Sequence, residues 1–449
     1  MLLQVKPTAT LGDVATIPSS KPETQRAILA ATLAEGKSVV RNDLRCLETT
    51  TMKEACRTIG AIIEEKDGYL EIQGVGSNFA GNKRVIDALG SGLVFRVFTA
   101  ITSFGDTPEV LTGDAILRGR VMAPLFDALA QLGANISCVA DEGKAPVVNW
   151  GGGFKGGRCV IPGNVSSQFI TAVMFAAPMA PEPTEIVIEG EILSISYIRQ
   201  TIEAMEKAGI RIDVADDFTS IVVHPGQYQS ADYQISGDYT SSSYIIGAAA
   251  LFQGKRVLKN MNSQSLQGEK AIIDVVKALG VEVQFDDAND ELTLINNQTH
   301  LAGEFEFDAS DYPNIVPTLA AIGAFVEGTF RVVGGSITRL HKSPRIKAMV
   351  SELQKLGVDI TPLFKDGVYD GFEIHGKASY QGGLELSSWG DHRIFMSLFI
   401  ASLRCERACL LEGYADVICS FPDFFKEFSA MGVQFTETED GNSDLLKQA

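Results

Sequence analysis

The sequence predicts an α/β protein built from six repeated units, packed with internal pseudo-symmetry rather than as one doubly wound sheet. Two observations predict it. First, six polar helix starts each lead into an apolar helix rich in small residues. They are Pro18-Ser19-Ser20-Lys21 before residues 27–34, Gly90-Ser91-Gly92 before 94–101, and residues 163–168 before 169–177. In the second half they are Thr240-Ser241-Ser242-Ser243 before 245–251, Asp311-Tyr312-Pro313-Asn314 before 319–326, and Gly390-Asp391-His392-Arg393 before 395–403. Second, an amphipathic helix ends in glycine and is followed by an alternating strand at Gly60, Gly133, Gly209, Gly280, Gly357 and Gly432, with spacings of 73, 76, 71, 77 and 75 residues. Glycine supplies the left-handed C-cap, and the alternation marks a half-buried sheet. Each unit therefore reads strand–helix–strand–helix–strand.

In chain order, Ser19 and Ser20 cap the first buried helix, Ser91 the second, and Ser166 and Ser167 the third, because their hydroxyls accept the unpaired N–H groups of a first turn. Serines 241–243 and Asn314 read the same way, and Asp391 caps the last. Gly74-Val75-Gly76 and Gly151-Gly152-Gly153 are turns, since neither has the third glycine, helix and later acid of a dinucleotide loop. Segments 15–19 and 232–238 look like crossings between two groups of three units. One domain is then 18–234, with three repeats. The other is 1–17 plus 235–449, also with three, and the expected ligand cleft lies between them where the helix starts converge. The polar end, 436–449, is expected to fray.

A formal charge of −18 argues against nucleic acid or an anionic membrane as partner. Residues 1–6 do not begin a signal peptide, and apolar stretches such as 170–180 are too short to span a bilayer. The seven cysteines are odd in number, scattered and without a CxxC pair. Cys405 and Cys409 are expected on one helical face. This is the pattern of a reduced cytoplasmic protein without zinc. His224, His300 and His375 show no metal spacing.

The chemistry-bearing residues gather at the helix starts, whose free N–H donors and partial positive charge suit a phosphate or carboxylate. Lys21 and Arg26 at one start are unfavourable for the dipole unless an anion binds between them. Arg96, inside an apolar helix, needs either a carboxylate or a ligand. Arg118 and Arg120 stand just before a helix, and guanidinium forks suit oxyanions. His392 and Arg393 at an apolar helix start need an acceptor.

Together these pieces resemble the enolpyruvyl transferases over residues 14–435. The motifs are Pro18-Ser19-Ser20-Lys21 with Arg26-Ala27; Gly113-Asp114 with Leu117-Arg118-Gly119-Arg120-Val121-Met122-Ala123-Pro124-Leu125; residues 163–168 with Ala176-Ala177-Pro178; Gly237-Asp238 with Ser241-Ser242; Gly390-Asp391-His392-Arg393; and Ser420-Phe421-Pro422-Asp423-Phe424. No reactive cysteine stands near Ala115, as one does in the UDP-N-acetylglucosamine branch. The resemblance implies two inverse α/β-barrel domains, each of three pseudo-symmetric units. It implies phosphoenolpyruvate and shikimate 3-phosphate as substrates, no metal or organic cofactor, and a monomer. By motif, Lys21, Arg26, Ser166, Ser167, Gln168, Ser194 and Tyr197 would hold the acceptor. Gly92, Arg120, Arg345 and Arg393 would hold phosphoenolpyruvate.

Departures fall where the resemblance implies proton chemistry. Asn314 stands at the family's catalytic Asp, His341 and Lys342 at its Lys and Glu, and Cys419 at a Lys; Pro22 and Leu93 replace a Ser and a Thr. An amide cannot accept a proton as a carboxylate does, and loss of a general base costs about 10²–10⁴ in rate. Proton transfer would then fall to Lys21, His341, Lys342, His392, Glu48 or Asp311, around Asn314. The alternatives are a paralogue with another phosphorylated hydroxy acceptor or altered chemistry, and a binding protein without turnover.

Overall fold

The computed structural model describes residues 2–76, 85–105 and 107–438. Most of the polar end expected to fray, 439–449, lies outside the described residues, as does Met1. The chain divides into two compact units, Ser19–Ile235 and Met1–Pro18 with Ser236–Ala449.

The described residues form six four-stranded sheets with one shared topology, and a two-stranded sheet of Tyr380–Gly382 with Cys405–Arg407. In the Ser19–Ile235 unit, strand Val85–Asp87 runs parallel to Glu109–Thr112. Val147–Asn149 adds antiparallel to the second, and Ile136–Cys138 antiparallel to the third. The wholly buried helix Gly92–Ile101 joins the parallel pair, and helix Ala123–Gln131 leads into the hairpin. Each unit thus carries one strand more than the periodicity predicts. After five of the six glycine-ended helices the chain forms a hairpin, not a single strand; after the last, Phe435–Thr438 pairs with the distant Leu2–Val5 instead.

The helices follow from composition. In the other unit, every residue of helices Tyr239–Leu251, Val316–Gly323 and His392–Ser402 is buried, and the three pack on one another. Helices apolar on all sides require such surroundings. Asp238, not the serines, caps helix Tyr239–Leu251: its Oδ1 accepts the Ser241 N–H at 2.6 Å. Serines 241–243 lie inside the helix. Helix Val316–Gly323 stops short of the expected end, and Val326 begins strand Val326–Val333, whose β-branched and aromatic residues favour a sheet. Cys405 and Cys409 lie on strands Cys405–Arg407 and Cys409–Glu412, not on a helical face. All seven cysteines are thiols, none of them in a disulfide.

Three sheets are completed by distant strands. Val14–Thr16 pairs with Gly254–Lys259, and Asp232–Gln234 with Lys37–Arg41. Leu2–Val5 lies between Cys409–Glu412 and Phe435–Thr438. Among the described residues no helix is long and apolar enough to cross a membrane.

Candidate active site

The Ser19–Ile235 unit gathers cations and amides at helix starts. Ser91 Oγ caps helix Gly92–Ile101 by accepting the Val94 N–H at 3.4 Å. Ser166 Oγ caps helix Ser167–Ala176 by accepting the Gln168 N–H at 3.3 Å. The Gln168 side chain turns back to the first of these helices, where its Oε1 accepts from Arg96 Nη1. The Arg96 guanidinium also lies 4.8 Å from the centre of the Phe169 ring. Of the two expectations for Arg96, the carboxylate is not found: an amide and an aromatic face hold it, and among the described residues no carboxylate pairs with it. Burial, and then the charge of Arg120, depress its pKa to about 9. Among the described residues its buried Nε finds no acceptor. A carbon placed on Gly92 would sit 3.0 Å from both Arg96 Nη1 and Arg120 Nη1, and 3.2 Å from Gln168 Oε1. Two mutually repelling guanidinium groups therefore face the backbone of a helix start, an arrangement an anion stabilises. Arg118, from the same motif, is exposed.

Gly92→Ala tests this geometry. The new methyl would press on the mobile ends of side chains rather than on backbone, so thermal stability should barely change. The methyl would narrow the space between the two guanidinium groups, and the Kd for inorganic phosphate as a small-anion probe should rise by about tenfold.

Lys21 and Arg26 each meet partners within the protein. Lys21 Nζ pairs with Glu48 Oε2 at 2.9 Å. Buried Arg26 donates from Nε to Thr201 Oγ1 at 2.9 Å, from Nη1 to the Pro22 carbonyl at 3.1 Å, and from Nη2 to the Tyr197 carbonyl at 3.1 Å. Arg26 thus ties helix Lys21–Leu33 to helix Ile195–Lys207, with its guanidinium 5.8 Å from the Tyr197 ring centre. Ser194, just before that second helix, adopts φ +62, a left-handed conformation costly for a non-glycine residue. Ser167 and Ser194 are buried, while Ser166, Gln168 and Tyr197 are half-buried.

The other unit builds a buried charge network. Arg345, at the start of helix Arg345–Lys355, donates from Nε to Asp391 Oδ2 at 2.8 Å and from Nη1 to Asn314 Oδ1 at 2.9 Å. Asp391 caps its own helix through the Arg393 N–H (2.9 Å), accepts from Ser343 Oγ (3.3 Å), and lies 3.6 Å from His392 Nδ1. Burial alone would raise the Asp391 pKa. Arg345, His392 and these hydrogen bonds overcome it and hold the carboxyl far below the usual carboxylate range. Arg393 Nη1 donates to Tyr244 Oη at 3.5 Å. Asn314 Nδ2 donates to Glu269 Oε1 at 3.0 Å.

Glu352, two turns along the Arg345 helix, sets the loop before Asp391. Its carboxylate accepts from the Ser387 N–H at 3.0 Å, Trp389 Nε1 at 2.8 Å and Lys355 Nζ at 2.7 Å. The loop turns through Trp389 (φ +53) and Gly390 (φ +70). One helix thus holds the Asp391 loop at two points.

Asn314, Arg345, Asp391, His392 and Arg393, all named from sequence, belong to this network. His341 and Lys342 lie half-buried on the segment leading into Arg345, and Asp311 half-buried in the turn before Asn314. Glu269, Tyr244 and Glu352 were not expected. Glu269 follows Gln267-Gly268, and nothing marks it among 56 acidic residues. Cys419 is half-buried, like Cys138. Burial pushes the Cys56 and Cys159 thiols up to about 12, which makes them poor nucleophiles. Alkylation of the native protein at pH 8, read by peptide mass mapping, should label Cys138 and Cys419 well before Cys56 and Cys159.

Solved structures share this architecture. EPSP synthase from Acinetobacter baumannii superposes with a TM-score of 0.81 at 23% identity, covering 97% of this chain and all of that one. The enolpyruvyl transferase NikO from Streptomyces tendae gives 0.76 at 16% identity, covering 97% and 98%. The fold is that of the enolpyruvyl transferases. The 3-phosphoshikimate 1-carboxyvinyltransferase of Methanococcus maripaludis is 34% identical over 435 residues, 96% of this chain and 99% of that protein. That of Methanocaldococcus jannaschii is 35% identical over 438 residues, 96% and 98% of the two chains. A family model described as EPSP synthase (3-phosphoshikimate 1-carboxyvinyltransferase) matches residues 5–442, and the chain belongs to that family.

Proposed function

We propose that this transferase moves the enolpyruvyl group of phosphoenolpyruvate to the 5-hydroxyl of shikimate 3-phosphate and releases phosphate. The observation that carries the reading is the Arg96–Arg120 pair with Gln168 at two helix starts, a seat for a small phosphorylated anion.

The reaction adds the acceptor O–H across the phosphoenolpyruvate double bond: oxygen bonds C2, and C3 gains a proton. The C2–O bond to phosphate then breaks, phosphate leaves with the electron pair, and C3 gives up a proton as the double bond re-forms. Arg120, beside Gly92, binds the phosphoenolpyruvate anion, and Arg345 and Arg393 receive its remaining charge. Ser166, Ser167, Gln168, Ser194 and Tyr197 bind the acceptor, with Arg26 fixing the Tyr197 helix. The Lys21–Glu48 pair, 2.9 Å apart, is a ready donor and acceptor of protons, and His341, Lys342, Asp311 and His392 are the further titratable groups of the set. We place the protein in the cytoplasm, as a monomer that needs no cofactor.

Asn314 favours a second reading. Its amide, engaged by Glu269 and Arg345, cannot take a proton from a hydroxyl, which fits a different phosphorylated hydroxy acceptor. The test is phosphate release from phosphoenolpyruvate with shikimate 3-phosphate, with mass spectrometry of the product. A product heavier by one enolpyruvyl unit is expected. Binding of phosphoenolpyruvate without turnover would move the search to other acceptors.

A further inference from the structure

Behind Arg345 lies a buried carboxylate that no role above uses. Glu269 is 1% exposed, Arg345 4% and Asp391 0%. Between Glu269 and Arg345 stands the Asn314 amide, donating to one at 3.0 Å and accepting from the other at 2.9 Å. A guanidinium only donates and an ionised carboxylate only accepts, so this chain of bonds permits one amide orientation. Turned over, Asn314 would set N–H against N–H and oxygen against oxygen. The backbone beneath Glu269 is pinned as well. The neighbouring Gln267 accepts the Tyr239 N–H at 2.8 Å and donates to the Gly237 carbonyl at 2.8 Å and to Ser236 Oγ at 3.1 Å.

We propose that Glu269 is the positioning residue of this network: its carboxylate fixes the Asn314 amide in the orientation that presents its oxygen to Arg345, and so aims the guanidinium that receives the anionic substrate. The identity of that anion, phosphoenolpyruvate, rests on the carboxyvinyl-transfer reading. Such a chain polarises along its length, each bond strengthening the next. The charged and titratable groups around Glu269 come from several elements. Arg345 and Asp391 lie along the chain of bonds, with His392 beside Asp391. Tyr312 feels Glu269 together with Asp311, Asp274 and Asp308. Lys270, next in sequence, is turned to the Ser263 carbonyl.

Three variants test it: Glu269→Gln, Asn314→Asp and the double variant. A Gln at 269 can donate as well as accept, so the amide loses one of the two partners that fix its orientation. Glu269→Gln should raise KM for phosphoenolpyruvate by about tenfold with kcat little changed. In the double variant the carboxylate introduced at position 314 accepts directly from Arg345, and KM should return most of the way. Asn314→Asp alone sets two carboxyls about 3 Å apart, which share a proton, so the pair's upper pKa rises. The folded state then holds more protons than the unfolded state above about pH 4. The Tm of Asn314→Asp relative to the unaltered protein should therefore fall as pH rises through the raised pKa, and the double variant should show no such fall.

An unchanged KM in Glu269→Gln, a double variant no better than Glu269→Gln, or a pH-independent Tm difference for Asn314→Asp would each overturn the proposal. Absence of turnover in the unaltered protein would instead sink the carboxyvinyl-transfer reading, while the Tm comparison still decides the Glu269 coupling. Should Glu269→Gln fail to fold, Asn314→Ala cuts the same link with Glu269 in place; the same rise in KM is expected, and an unchanged KM overturns the proposal.

Discussion

Replacing Arg120 with alanine is expected to lower kcat/KM for phosphoenolpyruvate by about two to three orders of magnitude. Truncating one partner of a desolvated, hydrogen-bonded charge pair costs about 2–5 kcal/mol, and each 1.4 kcal/mol is about a factor of ten. The loss should fall on KM more than on kcat if Arg120 binds ground and transition states alike. Stability should move the other way. Arg120 helps to depress the Arg96 pKa to about 9, so its removal relieves a like-charge repulsion. Without ligand, Arg120→Ala should melt no lower than the unaltered protein. Millimolar inorganic phosphate should raise the Tm of the unaltered protein and leave that of the variant unmoved. Arg120→Lys should recover only part of the activity, because an ammonium restores the charge without the planar fork. Steady-state kinetics and thermal melts decide it. Unchanged kinetics in Arg120→Ala would remove this site from the reaction.

Asp391→Asn should be the most destabilising single substitution in the other unit, by about 3–5 kcal/mol, because it leaves a buried Arg345 without its carboxylate. The effect has a defined pH dependence. The folded pKa of Asp391 is depressed, with Arg345, His392 and hydrogen bonds outweighing burial. Its contribution is therefore complete above the unfolded value of about 3.9 and is lost as pH falls below it toward the folded value. The stability gap between the unaltered protein and Asp391→Asn should narrow as pH falls below about 4. Urea unfolding at several pH values measures it. Activity should fall with stability, because Asp391 orients Arg345 and caps the helix that begins with His392 and Arg393. A gap that widened in acid would contradict the ion pair.

Much of this architecture was legible because its signals are local. The recurring glycines mark helix ends, and a C-cap is a property of a few neighbouring residues. The polar starts announced five of the six buried helices to within a few residues, since a cap and an all-apolar face are both short-range patterns. The exceptions are instructive. Serines 241–243 satisfy the rule for a cap, yet Asp238 takes that place, and the small serines fill the crowded first turn instead. The strand ending each of the five hairpins went unnoticed because the turn before it, as at residues 287–290, carries no apolar periodicity.

The site divides along the same line. Arg120, Arg345, Asp391, His392 and Arg393 were legible as cations and acids at helix starts, where chemistry and sequence position coincide. Glu269, Glu352 and Tyr244 were not, because each matters through a partner 45, 37 or 149 residues away. Arg26 shows the same limit. Its charge is plain in the sequence, but its three acceptors lie on its own helix and on a helix about 170 residues on, so whether it faces a ligand or a neighbour was open until the chain folded.

The residue order was enough to settle the class of the fold, the number of repeats, most of the helix starts and the anionic character of the ligand. Each follows from periodicity, composition or a motif a dozen residues long. Folding settled which strand completes each sheet, as with Val14–Thr16 beside Gly254–Lys259. It also settled which partners within the protein each of these cations meets. These depend on long-range pairing and on desolvation, and a group's burial is the sum of all that packs around it. Lys21 meets Glu48, Arg345 meets Asp391, and among the described residues Arg96 meets an amide, a ring and another cation. Charges of one kind along the chain thereby acquire different work.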